Sequence, residues 1–137
     1  EPIAWLFKPY KITITDNVLK NGLGAMNIGD SLVDGKSPSN ILKFGFDSKE
    51  GGLHEAQKPL RLLKYLINLV TRENQLVLDP FIGSGSTAVA AKLLGRKYIG
   101  IEKSKEYCEL SKKRLDNTSH SNPQIKKRSG NSQKKLF

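Results

Sequence analysis

From Pro59 onward the apolar residues Leu60, Leu63, Leu66, Ile67 and Val70 recur at helical spacing with polar residues between them. The pattern predicts a helix over residues 59–71, and Pro59 suits its first turn, where a backbone amide has no helical partner to lose. The period then shortens. Residues 75–78 are an apolar run stopped by Asp79-Pro80, and Gly83-Ser84-Gly85 marks a turn, so a strand followed by a glycine loop is predicted. Residues 86–94 carry Ala88, Val89, Ala90, Ala91 and Leu93, a helix of small residues able to lie close to a sheet, with Gly95 available as a left-handed cap. Residues 97–101 read as the next strand, running into Glu102. Ser104 is the expected N-cap of a last helix in which Cys108, Ser111 and Leu115 share a face.

The flanks are less patterned. Residues 1–52 are punctuated by Asn21-Gly22, Gly24, Asp34-Gly35, Pro38 and Gly51-Gly52, which predicts irregular or short-stranded structure. Residues 117–137 are rich in Ser, Asn, Lys and Gln, a composition that cannot offset its own ordering entropy, and a flexible tail is expected. No internal repeat is visible. At 137 residues and 37% hydrophobic the chain suits one small domain with appendages, and a wholly disordered chain is excluded. No apolar run approaches the roughly 20 residues that span a bilayer, and the opening EPIAWLFKPY lacks the order of a signal peptide. Cys108 is the only cysteine, which excludes an internal disulfide framework or a Cys-rich zinc site and fits a reducing compartment, so a soluble cytoplasmic protein is expected.

Charge changes the picture more. The net +10 points to a polyanionic partner, because Lys and Arg gain affinity by releasing counterions from phosphates. Residues 1–52 balance six basic against six acidic groups, while residues 53–116 and 117–137 each contribute +5. The tail and Lys112-Lys113-Arg114 are the candidates for phosphate contact. Trp5, Phe7 and Tyr10, beside Lys8 and Lys11, read as core aromatics before base-stacking ones.

Strand, glycine turn, helix, strand, acid is the nucleotide-binding half of a doubly wound sheet. Glycines let the backbone approach a ligand, a helix N-terminus points amides at it, and an acid ending the next strand can accept from ribose hydroxyls. The run from Gly83 to Ala88 fits GxGxxA, and Glu102 follows Asp79 by 23 residues, which together favour an adenosine-containing ligand over a purely structural turn. A phosphate P-loop is disfavoured, since no Lys-Ser or Lys-Thr follows the glycines.

Residues 79–87, DPFIGSGST, resemble the DPFxGSGTT cofactor motif of the amino-methylating DNA methyltransferases, which use S-adenosylmethionine on adenine N6 or cytosine N4. Residues 54–59, HEAQKP, resemble the HPTQKP motif of their beta-class members, with Glu55 and Ala56 departing from Pro-Thr. Glu106-Tyr107-Cys108... within the last helix and Arg114-Leu115 at its close also match that family. The likeness is strong over residues 53–116 and looser over 1–52. It implies a partial Rossmann-like α/β fold, parallel strands with flanking helices, divided into a target-recognition region (1–52), a cofactor-binding segment (53–116) and a flexible basic tail (117–137).

The same resemblance implies roles for individual residues. Asp79 would face the cofactor's ammonium or sulfonium, Phe81 would pack against it, and Gly83 and Gly85 would permit close approach. Ser86 and Thr87 would offer hydroxyls and amides, and Glu102 would hold the ribose hydroxyls. Lys58, with Gln57 and His54, would reach the cofactor carboxylate. Lys103 replaces an apolar residue beside the adenine ring, where its alkyl stem can still pack. No metal site is expected.

These enzymes hold the extruded base in a Pro-Pro-aromatic pocket, and this chain contains no Pro-Pro. No catalytic residue is therefore expected within it, and a complementary N-terminal half, in the same precursor or on a separate chain, is expected to supply one. The start at Glu1 and the need of parallel strands for neighbours point the same way. Two rival functions are a dinucleotide-binding (NAD or FAD) fragment and a nonenzymatic nucleic-acid-binding module.

Overall fold

A computed structural model of the chain describes residues 2–4, 6, 8–9, 11–22, 24–28, 39–47, 50 and 57–119. Its elements run α1 (Ile14–Asn21), α2 (Leu60–Val70), β1 (Leu76–Asp79), α3 (Ser86–Leu93), β2 (Lys97–Gly100) and α4 (Lys105–Asp116). The helix–strand–helix–strand–helix order predicted from residue 59 onward is the order observed, with boundaries within two residues. Pro59 sits one position earlier than a first-turn residue, as the N-cap of α2. The tail residues 120–137, His54 and the aromatic residues Trp5, Phe7 and Tyr10 lie outside the described residues.

The first 52 residues require a correction. Where irregular or stranded structure is predicted, residues 14–21 form a helix with caps at both ends. Thr13 Oγ1 accepts from the Asp16 amide at 3.1 Å, and Gly22, in the left-handed region at φ 68°, closes the other end by donating to Val18 O at 2.8 Å. Asn21-Gly22, read as a break between strands, is thus a helix stop. Further along, Phe44 and Glu50 are tied to α2: the Phe44 and Tyr65 rings lie 5.5 Å apart, and Glu50 Oε2 accepts the otherwise orphaned Leu60 amide at 3.2 Å.

β1 and β2 pair in parallel, from Leu76 opposite Lys97 to Asp79 opposite Gly100. The pairing continues past both strands, because Ile101 N donates to Asp79 O and Ile82 N to Ile101 O, at 2.9 and 3.0 Å. α3 packs against both strands and against α2 and α4. Ala90 and Ala91 are small enough to bring α2 close, so Ile67, Ala90 and Ala91 form the core with Leu60, Leu63, Val77 and Leu94 against them.

That layer covers one face only. Side chains alternate along a strand, so Leu76, Leu78, Ile99 and Ile101 project together from the opposite face, where they are 49–60% exposed. An open apolar groove lined by Ile3, Leu66, Val70 and Val77 runs beside β1. Among the described residues no helix is long and apolar enough to cross a membrane.

Candidate functional site

Of the residues singled out from the sequence, Asp79, Phe81, Gly83, Gly85, Ser86, Thr87, Glu102 and Lys103 lie at or past the carboxyl ends of the two strands. Asp79 closes β1, and its Oδ1 accepts from the Phe81 amide at 3.0 Å, a turn that lifts Pro80 and Phe81 off the sheet. Phe81 is consequently 88% exposed, an apolar ring with no protein surface to cover it. The chain then passes through Gly83 at φ 50° and Gly85 at φ 86°, with Gly85 N closing the turn on Ile82 O at 2.9 Å.

Glu102 binds this turn directly. Its Oε2 accepts from Gly83 N and its Oε1 from Ser104 N, both at 2.9 Å. A carboxylate has about four acceptor positions, so its capacity exceeds these two amides. Gly85 is the N-cap of α3 and supplies no side chain, leaving the first amides of that helix without a side-chain cap. Thr87 is half-buried on the first turn, and Lys103 is exposed beside Glu102.

Two expected cofactor residues are engaged elsewhere. The Ser86 hydroxyl is buried and takes a hydrogen bond from Arg114 Nη1 at 3.0 Å. At Gly85 a Cβ would stand 2.7 Å from Ser111 Cβ and 3.0 Å from Ser111 Cα, so its missing side chain makes room for α4. Arg114 also binds Ser84 O and Ser84 Oγ, at 2.6 and 3.1 Å. The Lys112-Lys113-Arg114 run is thereby split: the lysines are exposed, while the arginine turns inward. Burial lowers the Arg114 pKa from its ordinary value, and the Glu50 carboxylate opposes that shift.

Gln57 and Lys58, half-buried, lead into α2. Gln57 Nε2 donates to Glu50 O at 2.6 Å, and its Oε1 is buried without a hydrogen-bond partner. Sequence reasoning passed over Glu50 and the inward role of Arg114. Both act across gaps of ten to thirty residues, where no local spacing marks them.

The donor set suits S-adenosylmethionine. Asp79 ends β1 and Glu102 follows β2 by two residues, so two carboxylates stand at the carboxyl ends of adjacent parallel strands, with the Gly83 amide bound to Glu102 and the Phe81 ring exposed.

A family model described as DNA methylase matches residues 1–113. The chain is 48% identical over 122 residues to the Type II methyltransferase M.HindIII of Haemophilus influenzae, across 84% of this chain and 40% of that protein. It is 45% identical over 86 residues to the Type II methyltransferase M2.LlaDCHI of Lactococcus lactis subsp. cremoris, across 61% and 32%. Of solved structures, the PvuII DNA methyltransferase (cytosine-N4-specific) matches with a TM-score of 0.60 at 28% identity, over 70% of this chain and 38% of that one. An M1.HpyAVI–SAM complex is 46% identical over 56% and 37%, with a TM-score of 0.49. The chain spans about 40% or less of the length of these relatives. The chain belongs to the DNA methylase family of N6/N4 amino-methyltransferases and carries part of its S-adenosylmethionine-dependent α/β fold.

Proposed function

We propose that this chain is the cofactor-binding part, joined to target-recognition residues, of a DNA methyltransferase that methylates an exocyclic amino group. Adenine N6 rather than cytosine N4 is the proposed target, on family grounds alone. The observation that carries the reading is the pairing of Glu102 with the Gly83 amide beside Asp79, which builds one polar site from two strand ends and a glycine turn.

Each residue has a separable task. Asp79 is to hold a positive group, its charge undiminished by the single Phe81 amide it accepts. Glu102 is to accept from ribose hydroxyls, Phe81 to cover the ligand's apolar surface, and Gln57 and Lys58, with His54, to receive its carboxylate. S-adenosylmethionine held by these residues would supply an electrophilic methyl group on its sulfonium, with a neutral thioether as leaving group and the displaced amino proton passing to water. What the chain contributes is alignment, which can remove a large entropic share of such a barrier.

The Pro-Pro-aromatic pocket for the base is to come from a complementary segment, in the same precursor or on another chain. The bare apolar face of β1 and β2 supports this, since a parallel sheet is stable when both faces are covered.

The test is ligand binding by calorimetry, with the complementary segment present. S-adenosylmethionine is expected to bind and NAD not to. Asp79→Asn keeps the acceptor for the Phe81 amide and removes the charge, and it is expected to weaken binding by about tenfold. Equal losses for S-adenosylmethionine and S-adenosylhomocysteine place Asp79 at the ammonium, and a loss confined to the former places it at the sulfonium. NAD binding in place of S-adenosylmethionine overturns the reading, as does DNA binding with neither cofactor. Nucleoside analysis of methylated DNA then separates N6-methyladenine from N4-methylcytosine.

A further inference from the structure

α4 meets the glycine turn through two residues of one face, Ser111 and Arg114. Ser111 fills the space left by the absent Gly85 side chain, as its Cβ would lie only 2.7 Å from one built there. One turn on, Arg114 Nη1 faces Ser84 O, Ser84 Oγ and Ser86 Oγ at 2.6, 3.1 and 3.0 Å. Ser84 and Ser86 are 4% and 6% exposed, so water scarcely competes for them. A half-buried cation whose direct contacts are neutral oxygens is a modest stabiliser, because it gives up hydration there and the Glu50 carboxylate, outside that contact, offsets only part of the loss. What this arrangement does well is orientation: the two N–H groups of Nη1, shared among three oxygens, tie together the two residues that flank Gly85.

We propose that Arg114 is a positioning residue for the cofactor, fixing the Gly83–Gly85 turn from behind through Ser84 and Ser86. Held this way, the turn keeps the Gly83 amide on Glu102 and the first amides of α3 facing the ligand side. The inference rests on reading that turn as the S-adenosylmethionine site. It also explains why a basic residue beside Lys112 and Lys113 is withdrawn from the helix surface.

The test compares Arg114→Ala and Arg114→Lys with the unaltered protein in its complete, assembled form, by two readouts. Without cofactor, amide hydrogen exchange in Arg114→Ala is expected to quicken by about tenfold over residues 82–86 and to stay within about twofold over β1. The dissociation constant for S-adenosylmethionine is expected to rise by about tenfold, with partial recovery in Arg114→Lys or on adding free guanidinium ion. Unchanged exchange and affinity overturn the proposal, and so does exchange that rises equally in the turn and in β1. If Arg114→Ala does not fold, Arg114→Lys gives the same two readings at smaller amplitude. An unaltered protein that fails to bind S-adenosylmethionine overturns the site reading and the cofactor role of Arg114 with it. One that binds equally well with Arg114 replaced overturns this inference alone.

Discussion

Gly85→Ala is expected to lower stability by about 2–4 kcal/mol, the sum of a backbone term and a packing term. At φ 86° the position lies where an L side chain is strained, and the new Cβ would meet Ser111 Cβ at 2.7 Å and Ser111 Cα at 3.0 Å. The second of those atoms is backbone and cannot rotate aside. α4 must therefore back away from the turn, taking Arg114 with it. Urea denaturation of the variant gives the magnitude, and Ser111→Gly in the same background separates the two terms. That second change removes the contact with Ser111 Cβ but adds about 1 kcal/mol for glycine inside a helix, so recovery should be partial at best. A Gly85→Ala protein as stable as its parent would show that α4 is not seated on the turn.

Arg96→Ala is expected to cost about 3–5 kcal/mol. This buried guanidinium sits between the end of α2 and the turn from α3 to β2. Nε donates to Thr71 Oγ1 at 3.1 Å, Nη2 donates to Asn68 Oδ1 and Thr71 O at 3.0 and 2.7 Å, and Nη1 donates to Leu94 O. Alanine leaves those acceptors without their donor and opens a void between the end of α2 and the turn that leads into β2. Arg96→Met fills the volume without the donors, so the difference between the two variants measures the hydrogen bonds apart from the packing. Equilibrium unfolding in urea supplies both values. A loss below about 1 kcal/mol for Arg96→Ala would mean that water enters and takes the place of the guanidinium.

The contrast between these residues and those of the cofactor motif shows what a sequence can carry. Asp79, Gly83 and Glu102 were legible because strand, turn and helix are written in consecutive residues, and the parallel register then brings Glu102 to the turn. Arg96 and Arg114 were not. Each reaches back about 25 to 30 residues to oxygens of Thr71, Ser84 and Ser86, and a lone arginine on a helix or before a strand has no spacing that announces such a partner. Gly85 was half legible: its positive φ follows from the turn, but the neighbour that needs the space is Ser111, in an element still to come. α1 was missed for a different reason. Asn-Gly and Gly-rich punctuation suits both a hairpin and a helix stop, and the Thr13 cap that decides between them is a single hydroxyl.

The uncovered face of the sheet bears on how such a chain fares before it meets any partner. Among the described residues only β1 and β2 pair, and each strand presents an outer edge beside a row of Leu and Ile side chains. That combination is a template for joining a second copy edge to edge, and chains that expose it while folding are prone to aggregate. Covering that face would therefore protect the chain from self-association as well as complete its fold.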